Sequence, residues 1–473
     1  MKKILIACWL LLTGISGWSQ KIFTPQELQA DFTVIRQALE EAHPGLYRFQ
    51  TKEQADKQFT AIEKQLRKGM SAYAFYRLVN PLIAGIGDGH VKFHPAGKPD
   101  DPYAFFDNGY LPLQLYFKDG HAFVLRTYGA KELLPAGTRI LSINGEDISQ
   151  ITARLFRNIY ADGAVQSAKY AALNSDFAGY YGAFTGPATQ FTIGYKETAG
   201  KRGKVVVPAV SVREIRSTAS PEPPYTVSFP SAGVALLRIA VFMEQEGMPA
   251  FPAFLDSTFR LIKEKQVRSL IIDLRNNEGG TDRLGQQLFS YIARAPFRYY
   301  DKLTVAGTGP YSFAAYATFP AEMEYLKQFI KKEGDEYLFT YGEGLGVINP
   351  AGNAFGGNVY ILQNGRSFSV TAEFAAIAKD SRRAVFIGEE SGGTMQGNTS
   401  GGFAMVDLPH THLGLDVPLL SYYMRLLHPF QTNKGIPADH VISPAVTDIL
   451  QHRDPVLELA LRLATDSGNP AAD

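Results

Sequence analysis

Cysteine is nearly missing from this chain. Cys8 is the only one in 473 residues, and it sits inside an apolar run at the start of the sequence. Without further cysteines the rest of the chain has no disulfides, no thiol nucleophile and no Cys-ligated metal, so its cores must hold by packing alone. No block of one charge sign stands out either. The 47 basic and 46 acidic residues give a formal net charge of +1, which offers no electrostatic footprint for nucleic acid or an anionic membrane surface. There are no internal repeats and no low-complexity tracts, and the Gly-Gly stretch near residue 280 is not followed by the Gly-Lys-Ser/Thr of a phosphate loop.

What is present begins with MKKILIACWLLLTGISGWSQ: two lysines, an apolar run, then small residues before an expected cut after Ser19. That is the pattern of an export signal rather than of a membrane span. Its removal takes away Lys2, Lys3 and Cys8, leaving 45 basic and 46 acidic residues, a net charge of −1. The protein is expected in the periplasm, at the cell surface or secreted. Leu5-Ile6-Ala7-Cys8 looks like a lipoprotein cleavage box, but it comes early and residues 9–12 continue the apolar run, so lipidation is the lesser alternative. With 45% hydrophobic and 20% charged residues the remainder has ordinary globular composition, and its length implies two or three domains.

Residues 24–85 read as helices. LQADFTVIRQALEEAHPGLY stops against Pro44 and Gly45, ADKQFTAIEKQLRKG stops at Gly69, and a third helix near 72–83 runs into GIGDGHVKFHP. Short alternating stretches follow, LPLQLYF, HAFVLRT and RILSING, parted by KDG, PAG and NGED. They predict a small β-rich domain over 103–210, with helical residues at 150–183 and further strands at QFTIGY and KVVVPAV. STASPEPP, 217–224, is the expected linker. Beyond it VALLRIA, LIIDLRN, NVYILQ and AVFIGE alternate with helical stretches, which argues for an α/β layer of mainly parallel strands.

Four segments have chemistry to offer. Ser369 stands between NVYILQ and a helical run. If the strand is parallel, the loop after it lies at the carboxyl edge of the sheet, beside the Val370 N–H and the helix dipole, where a hydroxyl can attack and an oxyanion can be held. Serine is equally a favoured N-cap, and the stretch alone leaves both readings open. LIIDLRNNEGG ends a buried strand in a Gly pair that admits close backbone approach, or is a plain strand-to-helix turn. His90, in the glycine-rich turn, can serve as base for a serine, or is a solvated loop histidine. His94 adds an H-x-x-x-H spacing, but with no third ligand no metal is expected. GEESGGTMQGNTSGG, 388–402, either lines a cleft or forms a mobile surface loop.

In order, GDGH, LPLQLYF...AGTRILSING, LIIDLRNNEGG, SFSVTAEFAA, FIGEESGG and KGIPADH resemble the C-terminal processing, or tail-specific, serine peptidases. That family includes the tricorn protease core and the interphotoreceptor retinoid-binding repeats, and the exported bacterial members look most similar. The resemblance implies an α/β protein. Behind the signal at 1–19 come a helical N-terminal segment carrying the His loop (20–98), a PDZ-like β domain with a helical extension (99–212) and a crotonase-like, ClpP-like α/β catalytic core (213–473). It also implies a serine endopeptidase or processing peptidase acting through an acyl-enzyme on peptides or unfolded proteins. No cofactor, no metal, no nucleic acid and no membrane span are expected.

Residue by residue, the resemblance makes Ser369 the nucleophile, with Phe374 keeping the family's register. Glu373 falls one position later than the usual acid, which leaves Ser367 as a lesser alternative. Where the Ser-Lys members carry lysine this chain has Gly392-Gly393-Thr394. The tricorn type uses a histidine instead, and His90 matches it, so His90 is the expected base. The serine that precedes that histidine is here Gly89, and Thr432 stands where the family has an orienting glutamate before Gly435-Ile436-Pro437-Ala438-Asp439. Asp88 and Gln431 are the remaining candidates to orient His90. The oxyanion donors implied are the N–H of Val370 and that of Gly279 or Gly280, which makes Asn276 and Asn277 loop-shaping. Leu111, Pro112 and Leu113 fall where a PDZ domain meets a peptide C terminus. The missing lysine and acid sustain the alternative of a catalytically weak or inactive member that binds peptide or lipid. An α/β-hydrolase esterase is disfavoured, because no G-x-S-x-G elbow surrounds Ser369.

Overall fold

A computed structural model describes residues 21–129, 133–216 and 223–466. The expected export signal, Cys8 and most of the expected linker lie outside the described residues. Helix Pro25–Ala42 starts at a capping box in which Thr24 Oγ1 accepts from the Glu27 N–H while the Glu27 carboxylate accepts from the Thr24 N–H. It buries Leu28, Phe32, Ile35 and Leu39 at helical spacing and stops before Pro44. Helices Lys52–Glu63 and Ala72–Gly85 follow. Directly after the His90 turn the chain leaves these helices: strand Lys92–Pro95 pairs antiparallel with Leu413–Met424, far away in sequence.

The β-rich region forms an antiparallel sheet whose strands include Leu113–Lys118, His121–Thr127, Arg139–Ile143, Gln190–Lys196 and Arg202–Pro208. The helical stretch expected at 150–183 is two helices, Ile148–Phe156 and Gln166–Thr185. Between them Gly163 adopts φ +52° in an Asp-Gly turn, which breaks the helix and leaves Asp162 in a loop.

A six-stranded sheet forms the α/β layer. Its strands Val234–Ile239, Ser269–Asp273, Asn358–Gln363, Val385–Gly388 and His440–Val441 are mutually parallel, and Tyr225–Ser231 closes one edge antiparallel. Every residue of Ser269–Asp273 is buried, as an unbroken apolar run covered on both faces requires. Helices Phe251–Glu264, Asp282–Ser290 and Val370–Asp380 share one hydrophobic core with one face, and helix Pro455–Asp466 covers the other.

A second large sheet was not anticipated. It joins Tyr300–Val305, Ile330–Glu333, Glu336–Phe339, Thr399–Asp407, Leu413–Met424 and the short strand Lys92–Pro95. The glycine-rich segment 388–402 therefore stops being loop at Thr399. Gly401 (φ +66°) and Gly402 (φ +103°) make the bulge where the strand shifts register, rather than a mobile tip. Among the described residues no helix is long and apolar enough to cross a membrane.

Candidate active site

Ser369 stands at the carboxyl end of the parallel strand Asn358–Gln363, on the residue that opens helix Val370–Asp380. Its backbone is strained, at φ 54° and ψ −128°, a conformation that costs a non-glycine residue about 1–3 kcal/mol. The side chain does not cap the helix. The Thr371 N–H, which a capping side chain could meet, goes to the Phe368 carbonyl instead, so the hydroxyl is left free to point elsewhere. It points at a histidine: Oγ lies 3.0 Å from His90 Nε2. Ser367, the alternative, is fully buried and committed, donating to the Leu274 carbonyl at 2.9 Å and accepting from the Asn364 N–H at 3.1 Å.

His90 is held on three sides. The Phe368 ring stacks on the imidazole, with centroids 4.5 Å apart and planes 28° apart. That stacking explains why position 89 is glycine here, since a Cβ there would come within 2.6 Å of the Phe368 ring. Beneath the loop, the buried Asp88 accepts the His90 N–H at 2.7 Å and the Val91 N–H at 3.4 Å through Oδ1. Its Oδ2 takes the Thr399 hydroxyl and lies 3.0 Å from His43 Nε2, short but misaligned for a hydrogen bond. His43 accepts the Gly45 N–H on Nδ1, so its ring hydrogen is on Nε2, facing Asp88. Burial alone would raise the Asp88 pKa, but His43, His90 and Thr399 hold it below the usual carboxylate range. For His90 burial dominates and pushes the imidazole down to about 4, the charge of Asp88 offsetting only part of it. At neutral pH the ring is therefore unprotonated and able to accept a proton.

The third side is Asp162, buried in the turn between the two helices of the β-rich region. Its Oδ1 accepts the Gly89 N–H at 2.8 Å. Burial pushes its carboxyl up to about 7, with Asp88 adding to the effect. Of the two candidates for orienting His90, Gln431 is exposed and makes no side-chain contact with the ring, whereas Asp88 Oδ1 lies 4.0 Å from Nδ1. Thr432 is exposed as well.

The Gly pair closes against the serine. A Cβ on Gly279, which has φ +103°, would sit 2.7 Å from Ser369 Cβ and 2.9 Å from the Val370 nitrogen. The Gly279 N–H is taken by Asn277 Oδ1 at 2.9 Å, and the Asn277 amide in turn donates to the Ile239 carbonyl. Among the described residues neither the Gly280 nor the Val370 N–H donates to another group, so both remain available as donors. Asn276, at φ 62°, exchanges hydrogen bonds with the Asn364 side chain, which ties this loop to the one carrying Ser369.

Ser369 and His90 open into a cleft of about 600 Å³ whose walls include Ala168, Ala172, Phe368, Phe403 and Met405, with Arg366 at its mouth ion-paired to Glu278. Leu111, Pro112 and Leu113 do not line it. All three are buried, and the Pro112 carbonyl accepts the Tyr128 N–H. On the outer edge of strand Leu113–Lys118 the Phe117 N–H is already taken by Asn174 Oδ1 of the adjoining helix. Asp88, His90 and Asp162 bring one metal-capable atom each within 4.8 Å of one another. A cation would have to displace the three hydrogen-bond donors converging on Asp88, which makes the cluster a poor metal cage. His94 is structural: Nδ1 meets the Pro95 carbonyl and Nε2 lies 3.3 Å from Asp416.

A strained serine beside an unprotonated histidine and two free N–H groups, at the carboxyl edge of a parallel sheet, is the constellation of a serine-type hydrolase. Residues 233–442 match the model for peptidase family S41. Mature CPAF superposes with a TM-score of 0.67 at 17% identity, over 94% of this chain and 99% of its own. Its complex with lactacystin gives 0.66 at 17% identity, over 93% and 98%. At these identities the likeness speaks for the fold. No curated relative matches by sequence. The chain is a serine-type peptidase. Residues 233–442 carry a domain of peptidase family S41, the family of the C-terminal processing peptidases.

Sequence reasoning missed Phe368, His43 and Asp162. Phe368 stood beside the serine, but a ring that stacks on a residue 278 positions away leaves no local pattern. His43 and Asp162 reach the site through loops whose packing only the fold defines.

Proposed function

We propose that this protein is an exported serine peptidase that cleaves peptides or partly unfolded proteins through an acyl-enzyme on Ser369, with His90 as general base. The observation that carries the reading is the 3.0 Å contact between His90 Nε2 and Ser369 Oγ, made by a hydroxyl released from capping duty. In the first step His90 Nε2 takes the Oγ proton as oxygen attacks the scissile carbonyl carbon. The oxyanion that forms is met by the N–H groups of Val370 and Gly280, with Gly279 supplying clearance. The protonated imidazole then gives its proton to the departing amine, the C–N bond breaks, and Ser369 is left acylated. Water, deprotonated by the same ring, hydrolyses the ester and restores both residues. The β-rich region keeps the place of a PDZ-like domain in this reading, but Leu111, Pro112 and Leu113, being buried, do not serve as its peptide-binding edge.

A fluorophosphonate probe tests the chemistry. The folded protein is expected to label on Ser369, and labelling should disappear in Ser369→Ala and fall by at least about 10²-fold in His90→Gln, the range expected for loss of a general base. No labelling of the intact protein, with peptide binding that survives Ser369→Ala, would establish the inactive binding module instead.

A further inference from the structure

The proton that matters to the base is the one on the far side of the ring. For His90 Nε2 to accept from Ser369, Nδ1 must carry the hydrogen and needs an acceptor. The ring is only 12% exposed and Nδ1 is buried without a hydrogen-bond partner, an expensive state for a polar atom. Asp88 does not meet this need. Its Oδ1 is 4.0 Å away and serves two backbone N–H groups, while its Oδ2 takes the Thr399 hydroxyl and lies against His43, so neither oxygen is turned to the ring nitrogen.

Asp162 has what Asp88 lacks. Its Oδ1 holds the Gly89 N–H, but its Oδ2 is buried without a well-formed hydrogen bond, the Thr394 N–H being the nearest backbone donor to the carboxyl. One carboxylate oxygen of Asp162 and one ring nitrogen of His90 belong to a set of atoms all within 4.8 Å of one another. A separation up to that limit leaves room for a single bridging water, because two hydrogen bonds of about 2.8 Å meeting at a tetrahedral angle span roughly 4.6 Å. The turn is fixed at both neighbours: the Gly163 N–H donates to the Gly87 carbonyl and the Ala164 N–H to the Asn433 carbonyl. Asn433 follows Thr432, the position where the tricorn pattern has its orienting acid. The segment that lost the acid therefore packs against the segment that brings Asp162.

We propose that Asp162 is the positioning residue of this site, accepting the His90 Nδ1–H through one bridging water and so holding the tautomer that leaves Nε2 free for Ser369. This rests on the serine peptidase reading above. Asp162 performs the role only when ionised, and its carboxyl is pushed up to about 7 by burial first and by Asp88 next. The groups facing it are Asp88, Arg48 and the N–H groups of Gly89 and Thr394; those facing His90 are Asp88, Lys92, Asp100 and Arg48.

The experiment is the rate of fluorophosphonate labelling of the full chain between pH 5 and 9, for the parent and for Asp162→Asn. The asparagine keeps a carbonyl oxygen for the Gly89 N–H, so the turn is retained, but a neutral amide replaces the anionic acceptor. The parent rate is expected to rise through pH 7 and level off. The variant should be slower by at least about 30-fold at pH 8 and lack the rise near pH 7. If the variant labels within twofold of the parent with the same profile, Asp162 is only a loop anchor and the proposal is overturned. If the parent does not label at all, it is the peptidase reading that fails. Should the variant not fold, the His90 Nδ1–H resonance of the parent still decides: a protected imidazole proton above pH 7 that is lost as Asp162 protonates supports the role, and its absence at every pH refutes it.

Discussion

Gly279 does more than turn the chain. Its φ of +103° is open to few L-residues, and the space where its side chain would stand is filled by Ser369 Cβ at 2.7 Å and the Val370 nitrogen at 2.9 Å. An alanine there must move the Gly-Gly loop away from the serine, and with it the Gly280 N–H proposed as an oxyanion donor. For Gly279→Ala we expect kcat to fall by about 10²–10³-fold with KM little changed, the size of effect that follows loss of one oxyanion donor. Steady-state kinetics on an unfolded protein substrate reads this out. A variant with parental kcat would place the oxyanion donors elsewhere. The same logic of occupied space gives Gly89 its reason, since Phe368 lies where a serine would have been.

At the scale of elements, helix Val370–Asp380 buries an acid as well as presenting Ser369. Glu373 is 2% exposed; it accepts from the Tyr300 hydroxyl at 2.7 Å and the Asn398 amide at 2.8 Å, linking the helix to the second sheet. Burial pushes its pKa up to about 7, the two donors offsetting only part. A carboxyl raised in the folded state binds its proton more tightly there than in the unfolded chain. Its contribution to stability is therefore largest below about pH 4.5 and is lost as pH climbs towards and through 7. Glu373→Gln removes that ionisation. Compared with the parent it should gain stability steadily between pH 5 and 8, by at most about 3 kcal/mol for a shift of this size. Denaturant melts at several pH values measure it, and a pH-independent difference between the two proteins would show that Glu373 is ionised throughout. This helix, its strand and the Gly pair were legible in the sequence, because a buried parallel strand, a glycine turn and a helical period are local patterns. The second sheet was not. Ile330–Glu333 and Glu336–Phe339 are IKKE and EYLF, short, charged and half exposed, with no alternation to read. Thr399–Asp407 hid behind the glycines of its own bulge. Asp162 was invisible for a related reason: the turn that holds it is written locally, but the loops it meets at Gly87 and Asn433 come from distant parts of the chain.

For the whole molecule the decisive fact is that His90 and Ser369 are 279 residues apart and sit on segments packed into different hydrophobic cores, Ile86 and Val91 in one and Val370 and Phe374 in the other. The serine side is built on the parallel sheet. The histidine side shares its core with the N-terminal helices, the β-rich region and residues of the strands Thr399–Asp407 and Leu413–Met424. Their 3.0 Å contact thus depends on how firmly the N-terminal helices grip the second sheet. Strand Lys92–Pro95 supplies one grip through its pairing, and Asp31 supplies another. Fully buried on helix Pro25–Ala42, Asp31 accepts the His410 N–H at 3.0 Å, the Thr411 N–H at 2.8 Å and the Thr411 hydroxyl at 2.6 Å. Asp31→Ala leaves two backbone donors in a closed interface without acceptors, at about 1–3 kcal/mol each when unpaired, so a loss of about 2–4 kcal/mol in stability is expected. Because no part of Asp31 lines the cleft, a purely thermodynamic effect would lower Tm and leave the labelling rate of the still-folded protein unchanged. If the grip positions the histidine, the labelling rate at 25 °C should fall as well, by about threefold or more, while the Ser369 loop itself is untouched. Lowered Tm with an unchanged rate would mean that the strand pairing alone holds His90 in register, and an unchanged Tm would mean that the turn at 410–411 does not dock the helix.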